Sequence, residues 1–502
     1  MAKTTLDKDL GKVTRLQSAT QDISRQIALP GLSILFLVAV TIFATLVVAD
    51  GPLAIYAIIG AVVAGYLALN IGANDVANNM GPAVGSKALP MAAALVIAGI
   101  CEAAGAILAG GDVVATVSKG IITPPADLGT VNFILVMTAA LFAAAVWINL
   151  ATVIGAPVST THSIVGAVLG SGVAAAGFGV VAWPTLGAIA ASWVISPVLG
   201  GLVAAGLLGL IKVTILFRQD RIAAARTWVP LLIALMSGVF TLYMLTKGLS
   251  RVWSPSGQTT LILAVTLSLG GWLAARPWVA RRSAVMENRR KEVSRLFVLP
   301  LICAAALLSF AHGANDVANA VGPLAAIVSA AQTGSATTAG DVALPLWVLA
   351  IGALGISLGL ALFGPRLIRT VGEKITKMDA IRAYCVAQAA AITVLGASTL
   401  GLPVSSTHIA IGGIFGVGLL REILTNRGVR RRPNGAAPEP TDPSRPQPPT
   451  ELTDRQREKT EKRRLVRRRH AWSIAAAWVV TVPAAGLLAA GMYGLLSVLT
   501  RL

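Results

Sequence analysis

Thirteen apolar runs, most of them near membrane-spanning length, recur along this chain of 502 residues. Inside a bilayer every backbone N–H and C=O must be bonded internally, so runs of this length fold as spanning helices. The expected spans are 29–49, 53–73, 90–110, 131–153, 163–181, 186–211, 228–246, 259–275, 296–314, 342–363, 379–400, 407–424 and 471–498. A transmembrane barrel would need short alternating segments, and none occur. Composition agrees: 55% of residues are hydrophobic and 13% are charged, against about 25% charged in soluble domains. The expected fold class is an all-α polytopic membrane protein of 12–13 helices.

The net charge of +19 raises nucleic acid as a partner. Its distribution excludes that reading, because the basic residues gather in a few loops that face one way. With a cytoplasmic N-terminus, loops 212–227, 276–295 and 364–378 fall inside and carry fifteen Lys and Arg, while the outer loop 321–341 has none. The first apolar run begins near Ala28 and exceeds a signal-peptide core, so it reads as an uncleaved helix. Cys101, Cys303 and Cys385 fall in apolar helices without ligand spacing, which predicts neither a disulfide framework nor a zinc site.

Two polar motifs interrupt this apolar background, and each occurs twice. GANDVANN at 72–79 returns as GANDVANA at 313–320, and PVSTTHS at 157–163 returns as PVSSTHI at 403–409. A further match aligns Ile189–Gly209 with Ile474–Gly494. The chain therefore divides into an N-terminus with an extra first helix (1–52), transport repeat 1 (53–211), linking helices (212–295) and the first part of transport repeat 2 (296–424). A basic, proline-rich linker (425–470) precedes the final helix of repeat 2 (471–502). Seven helices, an odd number, separate the starts of the two repeats, so the copies have opposite topology, and a midplane site between them is expected.

The motif residues suggest the chemistry. Asp75 and Asp316 are ionisable groups in apolar surroundings, where a functional role is the default. On a helix, Asn74, Asp75 and Asn78, and likewise Asn315, Asp316 and Asn319, turn oxygens to one side, which suits a hard cation or a proton. Gly72, Gly81, Gly313 and Gly322 are expected to let the helix break there and offer carbonyls. At the second motif a proline stops one element, and Ser159, Thr160 and Thr161, or Ser405, Ser406 and Thr407, open the next. Hydroxyls and free N–H groups at such a half-helix N-terminus make an anion site. His162 and His408 follow each cluster and are expected to make structural or gating contacts. Glu102 lies inside an apolar span without an acidic counterpart, since Ile356 aligns with it. Asn149 and Gln388 read as packing hydrogen bonds.

An anion site beside two carboxylates repels itself, and carrying a divalent anion into a cell at ~100 mV costs about 4.6 kcal/mol. Co-bound cations or protons offset both terms. At GANDVANN, PVSTTHS and their copies the chain resembles the PiT family of inorganic phosphate transporters. The resemblance implies phosphate uptake coupled to Na⁺ or H⁺, with divalent metal carried alongside phosphate in some bacterial relatives, an inverted-repeat fold and a homodimer in the cell membrane. It places phosphate at Ser159, Thr160, Thr161, Ser405, Ser406 and Thr407, and cations at Asp75, Asn74, Asn78, Asp316, Asn315 and Asn319. Glu102 becomes a transport-linked acid, and no catalytic residue, resident metal or cofactor is implied. The alternatives are a sulfate or other tetrahedral oxyanion permease and, from another class, an intramembrane phosphoester-processing enzyme using the histidines. A passive anion channel is disfavoured by the paired acids.

Overall fold

The structure is a computed structural model. It describes residues 28–48, 50–125, 127–154, 158–250, 252–336, 344–370, 378–426 and 468–500. Pro157 and the linker residues 427–467 lie outside them. Each expected span corresponds to a long helix: α1 Ala28–Val47, α2 Ala54–Gly85, α3 Met91–Ala109, α4 Thr130–Ile154, α5 Thr160–Ala176, α6 Trp183–Ile211 and α7 Arg221–Tyr243. They continue as α8 Gly257–Ser283, α9 Val298–Thr333, α10 Leu346–Thr370, α11 Ala380–Thr399, α12 Ser406–Asn426 and α13 Arg468–Leu499. Twelve of these are long and apolar enough to cross a membrane, and α5 falls short. Among the described residues the β content is one isolated bridge, Ile122 to Val181.

Local signals set the ends. Ser159, Asp220, Ser256 and Asp379 cap α5, α7, α8 and α11, each accepting a backbone N–H three residues on. Gly334, at φ +68°, closes α9 with a left-handed turn whose N–H bonds the Ala330 carbonyl. Helices α2, α4, α9 and α11 form the interior, whereas α1, α8 and α13 turn large apolar side chains such as Leu46, Leu261 and Leu487 outward.

The two repeats are interlocked. Helix α2 of the first packs against α10 of the second, while α9 of the second packs against α3 of the first. A Cβ on Gly72 would collide with the Ile356 carbonyl oxygen, and one on Gly313 with that of Glu102. Conversely, a Cβ on Gly359 would strike the Leu69 carbonyl, and one on Gly105 that of Phe310. Leu69 and Phe310 stand 241 residues apart, as Gly72 and Gly313 do, so the contacts are exchanged between equivalent positions. The same exchange joins α5 to α13 and α12 to α6: Gly166 abuts Val482 and Gly170 abuts Gly486, as Gly412 abuts Pro197 and Gly416 abuts Gly201. This reciprocity is that of a twofold relation between the repeats.

One expectation is corrected here. The helices do not end or break at the ANDVAN motifs: α2 runs on to Gly85 and α9 to Thr333. Gly72 and Gly313 serve close packing of helix backbones, and the polar side chains find partners on neighbouring helices, so no carbonyls need be released.

Candidate functional site

The site forms where two hairpins meet. Helices α4 and α5 make one, α11 and α12 the other. Near the turns, Thr152 of α4 accepts a bond from Asn74 at 3.0 Å, and Ser398 of α11 one from Asn315 at 2.9 Å. Both α5 and α12 begin at the tips, so their N-termini approach one another. The rings of His162 and His408 lie 4.6 Å apart, and His162 stacks on Trp193 at 3.7 Å. These are ring-packing contacts. Ser159 accepts from the His162 backbone N–H and meets its Nδ1 at 2.7 Å, while Ser405 accepts from the His408 N–H at 3.3 Å.

The next hydroxyls face the aspartates. Thr160 donates to Asp75 Oδ2 at 2.9 Å and Thr407, from the other repeat, donates to Asp75 Oδ1 at 3.2 Å. Ser406 donates to Asp316 Oδ2 at 3.4 Å. The motif asparagines hold the threonines across the repeats: Asn78 donates to Thr407 at 2.8 Å, and Asn319 to Thr161 at 3.3 Å and Thr160 at 3.4 Å. Thr161 itself donates to the Val404 carbonyl at 3.0 Å, and Asn315 accepts from the Val404 N–H at 3.1 Å. Asp75, Asp316 and every named Ser and Thr of both clusters are buried. The aspartates thus meet the hydroxyls of Thr160, Ser406 and Thr407 at one place, whereas Asn74 and Asn315 bond the hairpins through Thr152, Ser398 and Val404.

Superimposed on this symmetric frame is an asymmetric trio. His312 sits one turn before Asp316, its Nε2 2.9 Å from Asp316 Oδ2 and 3.7 Å from Asp75 Oδ2, with Nδ1 3.3 Å from Glu102 Oε1. Glu102 accepts from Asn79 at 2.9 Å. The equivalents of His312, Glu102 and Asn79 are Ile71, Ile356 and Ala320. Asp75, His312 and Asp316 each bring one ligand atom within 4.8 Å of the others, a grouping that could hold a cation. The sequence reading missed His312 and Asn79; the signal was a histidine at i,i+4 from Asp316 where the other copy has isoleucine. Asn149 bonds Asn70 at 2.9 Å, a packing contact.

Comparison with known proteins places this geometry. Residues 71–489 match the profile of the phosphate transporter family. The chain is 46% identical over 424 residues to a candidate phosphate permease of Helicobacter pylori, spanning 84% of this chain and 80% of that protein. It is 37% identical over 367 residues to another from Thermococcus kodakarensis, spanning 71% of this chain and 87% of that one. A solved structure, the sodium-dependent phosphate transporter, matches with a TM-score of 0.75 at 32% identity, covering 88% of this chain and 99% of its own. This multi-pass membrane protein, a transporter by family and not an enzyme, belongs to the phosphate transporter family.

Proposed function

We propose that the chain imports inorganic phosphate across the cytoplasmic membrane as a secondary active symporter coupled to Na⁺ or H⁺. The N-terminus is on the cytoplasmic side, and transport proceeds by alternating access about the hairpin tips. The observation that carries this reading is the sharing of donors: Thr160 and Thr407, one from each repeat, both donate to Asp75. A phosphate oxyanion needs those same O–H groups. A cation or proton on Asp75 takes over its lone pairs and frees the hydroxyls to turn to phosphate, so each substrate prepares the site for the other.

Electrostatics favours the same order. Carboxylate oxygens of Asp75 and Asp316 within 4.8 Å repel by about 3 kcal/mol at an effective dielectric of ~20. Phosphate adds further negative charge, so the pair must first gain a cation or proton. The resemblance to the PiT family adds pairing of two copies in the membrane.

Radiolabelled phosphate uptake into proteoliposomes with imposed Na⁺ or H⁺ gradients tests this. Accumulation under at least one gradient is expected, without competition from equimolar unlabelled sulfate; no accumulation under either gradient removes symport. Thr407→Val takes away a donor shared by Asp75 and substrate, and a rise of about tenfold in KM for phosphate is expected. Glu102→Gln keeps an acceptor for Asn79 while removing the charge beside His312. It is expected to lower uptake severalfold with an unchanged gel-filtration profile; full uptake would show that the charge is dispensable.

A further inference from the structure

A second constellation of charge lies away from the hairpin tips. A cavity of about 500 Å³ is bordered by Lys212, Arg221, Arg289, Arg290, Arg382 and Arg421. They come from the C-terminal ends of α6 and α12, the N-terminal ends of α7 and α11, and the segment before α9. The topology read from the sequence puts all of these ends on the cytoplasmic side. Among the described residues one carboxylate, Asp379, lines the cavity, and it is engaged: Arg382 reaches it at 3.0 and 3.2 Å and Arg290 at 3.1 Å, while Arg289 pairs with Glu287 beside the cavity at 2.8 Å. Burial raises the Asp379 carboxyl, but the two guanidiniums outweigh it and hold it below the usual carboxylate range. Arg221 bonds the backbone carbonyls of Leu216 and Asn288 and, among the described residues, no carboxylate.

Topology signalling does not require this convergence. Positive-inside sorting is satisfied by basic residues spread through water, whereas these are gathered around one hollow despite mutual repulsion. Guanidinium forks match phosphoryl oxygens two at a time. The volume is that of a small-molecule pocket, larger than one inorganic phosphate requires. Leu208, Phe217 and Leu424 add an apolar wall to the same cavity.

The cavity is mechanically placed. Helix α12 carries Ser406 and Thr407 at its other end, about 22 Å away at 1.5 Å per residue over the fifteen residues to Arg421. Helix α11 belongs to the same hairpin, and α6 carries Trp193, which stacks on His162. Arg221 and Arg290, by contrast, belong to the linking region. A ligand seated here joins the second hairpin to the linking helices.

We propose that this cavity is an inhibitory site for an anion bearing two or more phosphoryl groups together with an apolar portion. By tying the α11–α12 hairpin to the linking helices, the ligand restrains the rocking that transport requires. Soluble nucleotides and anionic phospholipid headgroups both have this chemistry. The inhibitory part rests on the symport reading above; the binding part does not.

The binding test is a thermal melt of the purified full chain in detergent with ATP, with diphosphate, with inorganic phosphate, and with cardiolipin against phosphatidylcholine in mixed micelles. Stabilisation by ATP or diphosphate beyond that of sulfate at equal ionic strength identifies a soluble ligand, and stabilisation by cardiolipin alone identifies a lipid; either supports the site. Lys212→Gln with Arg421→Gln is expected to weaken that binding at least tenfold, with single Arg421→Gln as the fallback where the pair folds poorly. Arg281→Gln with Arg282→Gln, exposed on the same side outside the cavity, serves as the charge-matched control and is expected to bind normally. No stabilisation by any probe, or equal loss in the control, overturns the site. In proteoliposomes, ATP or cardiolipin on the cytoplasmic face is expected to slow phosphate uptake severalfold in the parent and not in the cavity variant. Binding with unchanged uptake overturns the inhibitory role. A chain that binds the anion but takes up no phosphate overturns symport and leaves the site standing.

Discussion

Replacing Asp75 by asparagine is expected to reduce phosphate uptake by about 10- to 100-fold while leaving membrane insertion and yield unchanged. The carboxylate accepts from Thr160 and Thr407 on its two oxygens. Asparagine has the same shape but a single acceptor, so one threonine hydroxyl then faces an NH₂ group. A lost bond between a neutral donor and a buried charge is worth roughly 1.5–3 kcal/mol. The larger effect is on the cation, which loses the charge that attracts it. Asp316→Asn is expected to be as damaging, because Ser406 and His312 both face that carboxylate. The gradient dependence of the residual uptake should flatten in both variants. Gel filtration of the purified proteins separates this outcome from misfolding, and normal gradient-driven uptake by both variants would take the aspartates out of the mechanism.

The second large effect is on assembly of the helices. Gly72→Ala and Gly313→Ala are each expected to destabilise the protein by at least about 3 kcal/mol, seen as lower yield and lower melting temperature. Overpacking an interior typically costs 1–3 kcal/mol when side chains can give way; here the obstacle is the backbone carbonyl of Ile356 or Glu102. Since the two contacts are equivalents in the interlocked repeats, their losses should be of similar size. Gly206 on α6 and Gly491 on α13 provide the contrast. A Cβ at either meets nothing within 4 Å, and alanine is preferred over glycine in a helix by up to about 1 kcal/mol. Gly206→Ala and Gly491→Ala should therefore be neutral or stabilising. Equal tolerance at all four positions would mean that the helix crossings are looser than described.

Much of the candidate site was legible from residue type and repetition. Asp75 and Asp316 stand out because a charge in an apolar run demands compensation, and the Ser/Thr clusters because they follow a proline where a helix must restart. His312 gives no signal in what the two motif copies share. It lies one residue before the shared octapeptide, where the first copy has Ile71. The expected breaks at the motif glycines were wrong for a related reason. Sequence reading treats glycine as a weak point in a helix, whereas at Gly72 and Gly313 the missing side chain admits another helix's backbone.

The sequence by itself determined where the helices lie, the duplication and the chemical character of the buried groups. These follow from hydropathy, charge and spacing along a single strand, which are local quantities. Only the tertiary structure decided that the repeats exchange helices, that Thr407 reaches Asp75 across 332 residues, and that His312 lies between Asp316 and Glu102. Those outcomes depend on how closely small residues let the helices cross, a property of packed pairs of elements.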